Sequence, residues 1–204
     1  MLEHEHIIRH AAEMFIRGGV KAVRMDDVAR SLGMSKRTLY ELFGDKESLL
    51  ERCILYHLEE ERQRLTAIGM SADNVLEALL RVISALRERY VEGMRIREEI
   101  CRFYPRVEAR LKAHGAASES SAHLRACLVK GIEEGYFDPQ LPLELMVALL
   151  EYNLLGVATH NLSAPAPGMA PDRIFEQVLI YFLRGISTAK GVSVIENYLK
   201  RKKQ

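Results

Sequence analysis

The stretch MDDVARSLGMSKRTLYELFGDKESLL, residues 25–50, contains more helix starts and stops than any other part of this chain. Two short segments with apolar residues at helical spacing lie on either side of Gly33-Met34-Ser35. A glycine just past a helix favours the left-handed cap conformation, and a serine before a helix accepts its first free amides. The spacing therefore predicts a helix over 25–32, a tight turn, and a second helix over 36–43.

Two short helices joined by a tight turn, each with one apolar side, form a helix-turn-helix. In that motif the second helix enters the DNA major groove, which is about 12 Å wide, and only its first residues reach the base edges. Here those residues are Lys36, Arg37 and Thr38. Lys and Arg donate to guanine or phosphate, and Thr offers a hydroxyl and a methyl group. The stretch therefore indicates a DNA-reading element.

The region around this stretch closely resembles the DNA-binding region of TetR-family transcriptional regulators. That family has a helix with A-x-x-x-F-x-x-x-G, then [DE]-[IV]-A, then G-[VM]-S-x-x-[TS]-[LF]-Y-x-[HY]-F-x-[SN]-K-[ED]-x-L. The resemblance covers about the first quarter of the chain. The matching positions are Ala11, Phe15, Gly19, Asp27, Val28, Ala29, Gly33, Met34, Ser35, Thr38, Leu39, Tyr40, Phe43, Lys46, Glu47 and Leu49.

The resemblance implies a set of DNA contacts. Ser35, Lys36, Arg37 and Thr38 would lie at the groove, and the Tyr40 hydroxyl would bind a phosphate. Lys46 would face the phosphate backbone from the first turn of the following long helix, where the helix dipole also favours an anion.

Two positions differ from what the DNA contacts of the family would favour. Arg24 stands where Ser or Thr usually caps the first short helix, and Arg cannot accept amide hydrogen bonds. The acidic pair Asp26 and Asp27 is therefore expected to stabilise that first turn, and Arg24 is counted among the phosphate contacts. Glu41 places an acidic group next to Tyr40, and its carboxylate is expected to point away from phosphate.

Composition places the protein among ordinary globular chains. Its 204 residues are 48% hydrophobic and 28% charged, and the net charge is +1, so any DNA contact must rely on a local cluster of cations. The basic end, residues 200–203, is expected to be a solvated helix end. Three widely spaced cysteines predict buried, reduced thiols, and the chain shows no signal-peptide or membrane-spanning pattern. We therefore expect a soluble cytoplasmic protein.

The rest of the chain is helical in pattern, so the expected fold class is all-α. A three-helix DNA-binding domain over residues 1–47 would precede a larger helical effector-binding and dimerisation domain over 48–204. Further helices are predicted over residues 45–68, 71–90, 94–104, 107–114, 118–134, 143–162, 171–187 and 192–202.

Two late helices, over 143–162 and 172–186, are apolar on more than one face. Such helices need partners on both sides, either within the chain or in a second copy. The resemblance implies a four-helix dimer interface and a small-molecule effector of unknown identity. The plausible interface residues are Leu149, Tyr152, Leu155, Gly156, Val178, Tyr181 and Phe182.

The leading hypothesis is a ligand-responsive, sequence-specific repressor that binds a pseudo-palindromic operator as a homodimer. An activator or a ligand-independent regulator is an alternative, as is a helical enzyme or a small-molecule or lipid carrier with a vestigial helix-turn-helix. Glu3-x-x-His6 and His57-x-x-Glu60 have metal-ligand spacing, but a di-iron bundle needs two such units in one orientation. We therefore expect no catalytic residue, metal or cofactor.

Overall fold

The computed structural model describes residues 4–114, 116–158 and 168–202, and within these it describes all side chains except those of 116–120 and 155–158. Apart from one bridge between Phe137 and Ser187, the described residues contain no β structure, which confirms the all-α fold class. The helices are α1 (Glu5–Gly18), α2 (Met25–Ser31), α3 (Lys36–Phe43), α4 (Lys46–Met70), α5 (Val75–Phe103), α6 (Pro105–Ala113), α7 (Ala116–Glu133), α8 (Leu143–Ala158), α9 (Pro171–Gly185) and α10 (Ala189–Arg201).

The chain divides into two compact units. Unit 1 comprises Met1–Arg64 and Glu92–Ala116, and unit 2 comprises Leu65–Val91 and Ala117–Gln204. The helices α4 and α5 each contribute residues to both units. The division of function at residues 47 and 48 stays a prediction, while unit 1 contains more chain than the helix-turn-helix region alone.

Unit 1 has one apolar core that joins the N-terminal helices to the second half of α5. The buried face of α3 consists of Leu39 and Phe43, and Ile96 and Ile100 enter the same core from α5. Its buried residues are Ile7, Ile8, Ala11, Ala12, Phe15, Val20, Val23, Met25, Val28, Ala29, Leu39, Phe43, Leu49, Leu50, Cys53, Ile96, Ile100 and Val107.

The helix α5 differs from the sequence prediction in two ways. It begins at Val75 and not at residue 71, because Asn74 Oδ1 accepts the Glu77 amide at 2.9 Å and so caps the helix there. It then runs through Gly93 without a break, so the two predicted helices over 71–90 and 94–104 are one. A single glycine costs a helix only about 1 kcal/mol relative to alanine, and the flanking residues favour helix.

Unit 2 contains the remaining buried side chains. Tyr90 of α5 stacks on Phe175 of α9, with ring centroids 4.7 Å apart. Phe137, fully buried, follows α7 at a turn tied to the end of α9, because the Asp138 amide donates to the Ile186 carbonyl at 2.9 Å. The predicted end of α8 at residue 162 lies outside the described residues.

The basic C-terminal end was predicted to be a solvated helix end, but two of its cations bind acidic side chains. Arg201 binds Glu77 of α5 at 3.1 Å, and Lys202 binds Glu176 of α9; both carboxylates are buried. Burial alone would raise the pKa of Glu176, but the hydrogen bond and charge of Lys202, with the charge of Arg87, lower it below its ordinary value. The two cations therefore neutralise carboxylates inside unit 2.

The cysteines also differ from expectation. Cys53 is buried, and burial raises the pKa of its thiol to about 12. Cys101 is exposed, however, and Cys127 is half-buried, because each lies toward the outer side of its helix. Only one of the three cysteines fits the prediction of buried thiols.

Candidate DNA-binding surface

The turn between α2 and α3 has the geometry that the sequence predicts. Gly33 has a φ of +65°, in the left-handed region that glycine adopts without strain. The Met34 amide then returns to the Ala29 carbonyl at 3.0 Å and closes the C-terminus of α2. This closure lets α3 start three residues later on a new axis, as a helix-turn-helix requires.

The first turn of α3 is fixed by two neighbouring hydroxyl groups. Ser35 Oγ accepts the Thr38 amide at 3.0 Å, and the two hydroxyl oxygens lie 2.8 Å apart. Ser35 is thus the predicted N-cap, and Leu39, fully buried, anchors the opposite side of the helix. The start of α3 is therefore held firmly while its polar side stays outside.

The predicted base-reading residues form the exposed first turn of α3. Lys36, Arg37 and Thr38 are all exposed, and the Arg37 side chain is 88% exposed. Tyr40 is 40% exposed and so belongs to the same surface and not to the core. The structure brings Ser35, Lys36, Arg37, Thr38 and Tyr40 together on one outward surface.

Both cations of α3 have acidic partners. Lys36 Nζ lies 2.8 Å from Asp26 at the start of α2, and this hydrogen bond and charge raise the pKa of Lys36 above its ordinary value. Arg37 Nε lies 2.7 Å from Glu41, so the Glu41 carboxylate is directed at a cation. Exposed pairs of this kind contribute little to stability in water, which leaves both cations available to a stronger partner.

Arg24 lies at the N-cap of α2 and is exposed. The Asp27 carboxylate accepts the Arg24 amide at 3.0 Å, which is the side-chain-to-backbone half of a capping box. Asp27 therefore stabilises the first turn, as the sequence analysis expected of the acidic pair. Arg24 is thus an exposed cation at the first residue of the helix-turn-helix.

Lys46 begins α4, and its surroundings are more crowded than the sequence suggested. The ammonium donates to the Lys21 carbonyl at 3.4 Å and lies 5.3 Å from the Tyr104 ring centroid and 5.8 Å from that of Phe15. Next to it, Asp45 accepts the Ser48 amide at 2.7 Å, and this bond lowers the pKa of Asp45 below its ordinary value. Lys46 is half-buried and has donors left for a second partner.

Sequence reasoning missed the residues that hold the loop between α1 and α2. Glu99 Oε2 accepts the Lys21 amide at 2.9 Å, and Arg95 donates to the Ile16 carbonyl. Glu99 is 78 residues from Lys21 along the chain, so no local pattern relates them. The only sequence signal is the Gly18-Gly19 pair, which marks a loop but not its partner.

The residues proposed for the dimer interface lie on α8 and α9 of unit 2. Tyr152 is 72% exposed and Tyr181 61% exposed, and Leu149 is also exposed. Val178 and Phe182 are half-buried. Leu155 and Gly156 lie outside the residues whose side chains are described. Two neighbouring helices of unit 2 thus expose large apolar side chains.

Other kinds of site find little support in the part of the chain that the structure describes. No group of three or more His, Cys, Asp or Glu side chains converges there as metal ligands would. Among the same residues, no helix combines the length and the apolar character needed to cross a bilayer.

Comparison with known proteins agrees with this geometry. Residues 7–53 match the family model described as bacterial regulatory proteins, tetR family. The HTH-type transcriptional repressor KstR2 of Mycolicibacterium smegmatis is 24% identical over 197 residues, which are 92% of this chain and 92% of that protein.

Two solved structures have the same fold. The ketosteroid transcriptional regulator KstR2 of Mycobacterium tuberculosis superposes with a TM-score of 0.54 at 23% identity, covering 92% of this chain and 96% of that one. A transcriptional regulator from Cytophaga hutchinsonii superposes with a TM-score of 0.72 at 20% identity, covering 90% and 98%. From the residues of its helix-turn-helix and these comparisons, residues 7–53 are a DNA-binding region of the tetR family of bacterial regulatory proteins, and the chain as a whole has the fold of solved transcriptional regulators.

Proposed function

We propose that the protein is a sequence-specific transcriptional repressor that binds a pseudo-palindromic duplex as a homodimer and responds to a small-molecule effector. The relative from M. smegmatis, named a repressor, matches over 92% of both chains. As a regulator of bacterial transcription the protein would act in the cytoplasm, and no enzymatic activity is proposed.

The observation that carries this function is the outward first turn of α3. Leu39 and Phe43 are buried and hold the helix on the core, while Lys36, Arg37 and Thr38 of its first turn are exposed. A helix of eight residues is about 12 Å long, so its first turn can enter the major groove while its end stays on the protein.

The flanking residues supply contacts to the phosphate backbone. Arg24 and Tyr40 are exposed beside α3, and Lys46 stands at a helix N-terminus, where the backbone dipole also favours an anion. These groups would set the register of α3 in the groove, while the base edges would be read by the side chains of its first turn.

DNA binding would require Lys36 and Arg37 to exchange partners. Asp26 and Glu41 hold the two cations in the free protein, at 2.8 and 2.7 Å. Contacts to phosphate or guanine are bidentate or strongly charge-assisted, whereas an exposed ion pair is weak. The acidic partners would keep the cations ordered and lower non-specific attraction to DNA.

Dimerisation would use the exposed apolar faces of α8 and α9. Tyr152 of α8 and Tyr181 of α9 are 72% and 61% exposed, Leu149 of α8 is exposed as well, and a second copy would bury this apolar surface. Twofold symmetry also fits a palindromic site whose half-sites are about one helical turn apart or slightly more.

An effector would act by binding one dimer shape better than another. A difference of about 1–3 kcal/mol between the two shapes is enough for a useful switch. The long helix α4 begins at Lys46 in unit 1 and ends in unit 2, so it is the part of the chain through which such a change would pass.

The test is to select genomic duplex fragments with the purified full chain and to measure the binding of the enriched fragment. Enrichment of one palindromic sequence, protected as two half-sites by one dimer, supports the function. Arg37→Ala should weaken this binding, whereas Arg62→Ala, which removes the same charge on α4 about 24 Å from the start of that helix, should not.

A reporter under the selected fragment then distinguishes repression from activation. Loss of the gene should raise the expression of a repressed target and lower that of an activated one. Adding candidate effectors, steroids among them because a relative is called a ketosteroid regulator, should release the fragment. Recovery of no preferred sequence would overturn the function.

A further inference from the structure

We propose that Glu99 is a positioning residue for DNA binding, which holds the Lys21 segment in place and through it the ammonium group of Lys46. This role rests on the proposed function, because a residue can position Lys46 for DNA only if the protein binds DNA. It concerns residues of unit 1 only, and it assigns a purpose to a carboxylate that no local motif singles out.

Glu99 stands on a part of α5 that cannot easily move. Ile96 and Ile100, the residues three before and one after it, are buried in the core of unit 1 with 8% and 5% exposure. Arg95 of the same turn donates to the Ile16 carbonyl in the last turn of α1. The carboxylate is therefore presented to the loop between α1 and α2 from a rigid support.

The loop is shaped to receive this carboxylate. Glu99 Oε2 accepts the Lys21 amide at 2.9 Å, and Glu99 Oε1 lies 3.0 Å from where a Cβ on residue 19 would be. Gly19 also has a φ of +86°, a conformation that other residues adopt only with strain. The glycine thus makes room for the carboxylate and lets the chain turn toward it.

The other polar group of Lys21 meets Lys46. The Lys21 carbonyl accepts from Lys46 Nζ at 3.4 Å, so the backbone of one residue is held by Glu99 on its amide side and by Lys46 on its carbonyl side. The ammonium also lies near the rings of Tyr104 and Phe15, at 5.3 and 5.8 Å. Together these contacts hold the Lys46 ammonium beside the loop between α1 and α2.

Two substitutions separate the hydrogen bond from the charge of Glu99. Glu99→Gln keeps an oxygen that can accept the Lys21 amide but removes a negative charge, so it should bind the selected duplex as tightly as the wild type or more tightly. Glu99→Ala removes the same charge and also the acceptor. We expect it to bind roughly three- to tenfold more weakly than Glu99→Gln, the effect of one net hydrogen bond. Glu98→Ala, exposed on the same turn, is the control for charge.

A double-mutant cycle tests whether the effect passes through Lys46. In the Lys46→Ala background, Glu99→Ala should change affinity by less than about twofold, because the group that it positions is gone. Glu99→Ala should also lower the slope of log affinity against log salt by about one unit, as loss of one phosphate contact does. A simple loss of stability would change neither the cycle nor the slope in this way.

A measurement without DNA completes the test. Amide exchange at Lys21 should be faster in Glu99→Ala than in the wild type and close to wild type in Glu99→Gln. Equal affinities of the two variants, an additive cycle, or unchanged exchange at Lys21 would overturn the role of Glu99 while leaving the proposed function intact. Failure of the wild type to select any duplex would overturn both.

Discussion

Arg37 Nε donates to the Glu41 carboxylate at 2.7 Å, one turn further along α3. Both side chains are largely exposed, at 88% and 58%. The pair joins the side chain proposed to read a base with an acidic group of the same helix. Such a pair contributes little to stability in water. It therefore orders the Arg37 side chain but is weak enough for Arg37 to leave it when DNA binds.

Glu41→Gln is expected to strengthen binding to duplex DNA, by up to about fivefold, because it frees Arg37 and removes a negative charge from the binding surface. The gain should appear for selected and unrelated fragments alike, since it is electrostatic. Fluorescence anisotropy at fixed salt measures it. Glu59→Gln makes the same charge change on α4, away from the proposed DNA-binding surface, and serves as the control. Weaker binding by a folded Glu41→Gln variant would contradict the proposed surface.

Arg37→Ala and Lys46→Ala should differ in kind. Loss of Arg37 should cost about 1–3 kcal/mol at the selected fragment and relax the preference for one base pair. Loss of Lys46 should weaken all sequences alike and lower the salt slope by about one unit. Binding to a set of single-base variants over a range of salt separates the two. If both variants bind every sequence like the wild type, the site assignment is wrong.

Tyr181→Glu should yield a folded monomer. The ring is 61% exposed on α9 beside other apolar groups, and a carboxylate there would be buried without a partner in a dimer. Light scattering after gel filtration measures the mass, and affinity for the palindromic duplex should fall by at least about tenfold because only one half-site would be held. Arg173→Gln, at another exposed position of α9, makes the same change in net charge and tests whether charge alone has this effect. If the Tyr181→Glu variant stays dimeric, the dimer interface does not include this part of α9.

Replacing two helical glycines, Gly131 and Gly93, by alanine should change the stability of the protein in opposite directions. In Gly131→Ala the new Cβ would lie 2.2 Å from two ring carbons of the buried Phe137, so we expect a loss of about 1–3 kcal/mol in the free energy of unfolding. In Gly93→Ala nothing lies within 4 Å of the new atom, and the helix should gain about 0.5–1 kcal/mol. Urea unfolding followed by circular dichroism measures both. A stabilising Gly131→Ala would show that Phe137 packs differently.

Acid should destabilise unit 2 through Arg87. The hydrogen bond from Arg87 lowers the pKa of Asp172. Burial raises the pKa of Glu176, but the hydrogen bond and charge of Lys202, together with the charge of Arg87, lower it overall. Groups with a lowered folded pKa stabilise the protein above their ordinary pKa near 4, and this stabilisation is lost as pH falls through the folded value. Arg87→Gln should therefore cost about 1 kcal/mol at pH 7 and less at pH 3.

Urea unfolding of wild type and Arg87→Gln between pH 3 and 7 measures that difference. The wild-type curve also contains other carboxylates with lowered pKa values, such as Asp45 and Glu59, so only the difference between the two proteins reports on Arg87. A gap between the proteins that is the same at every pH would show that Arg87 acts by packing and not by charge.

The sequence predicted best where the determining interactions are local. The residues that end α2 and begin α3 and α4 act on near neighbours in the chain: Gly33, Ser35 and Asp45. The end of α2 and the starts of α3 and α4 could therefore be predicted from the sequence. The prediction was wrong where a local signal competed with packing. Two helices are predicted over 71–90 and 94–104, yet α5 continues through Gly93. The cations of the C-terminus are predicted to be solvated, although Arg201 and Lys202 bind buried carboxylates.

By itself, then, the sequence determined the all-α fold, the helix-turn-helix and the side of α3 that faces outward, because helix caps and apolar spacing act over a few residues. The tertiary structure alone decided which groups stand beside the reading residues. Glu99 meets Lys21 across 78 positions, and Asp26 meets Lys36 from another helix. Such pairs depend on how helices pack, and packing is a property of the whole core that no short pattern encodes.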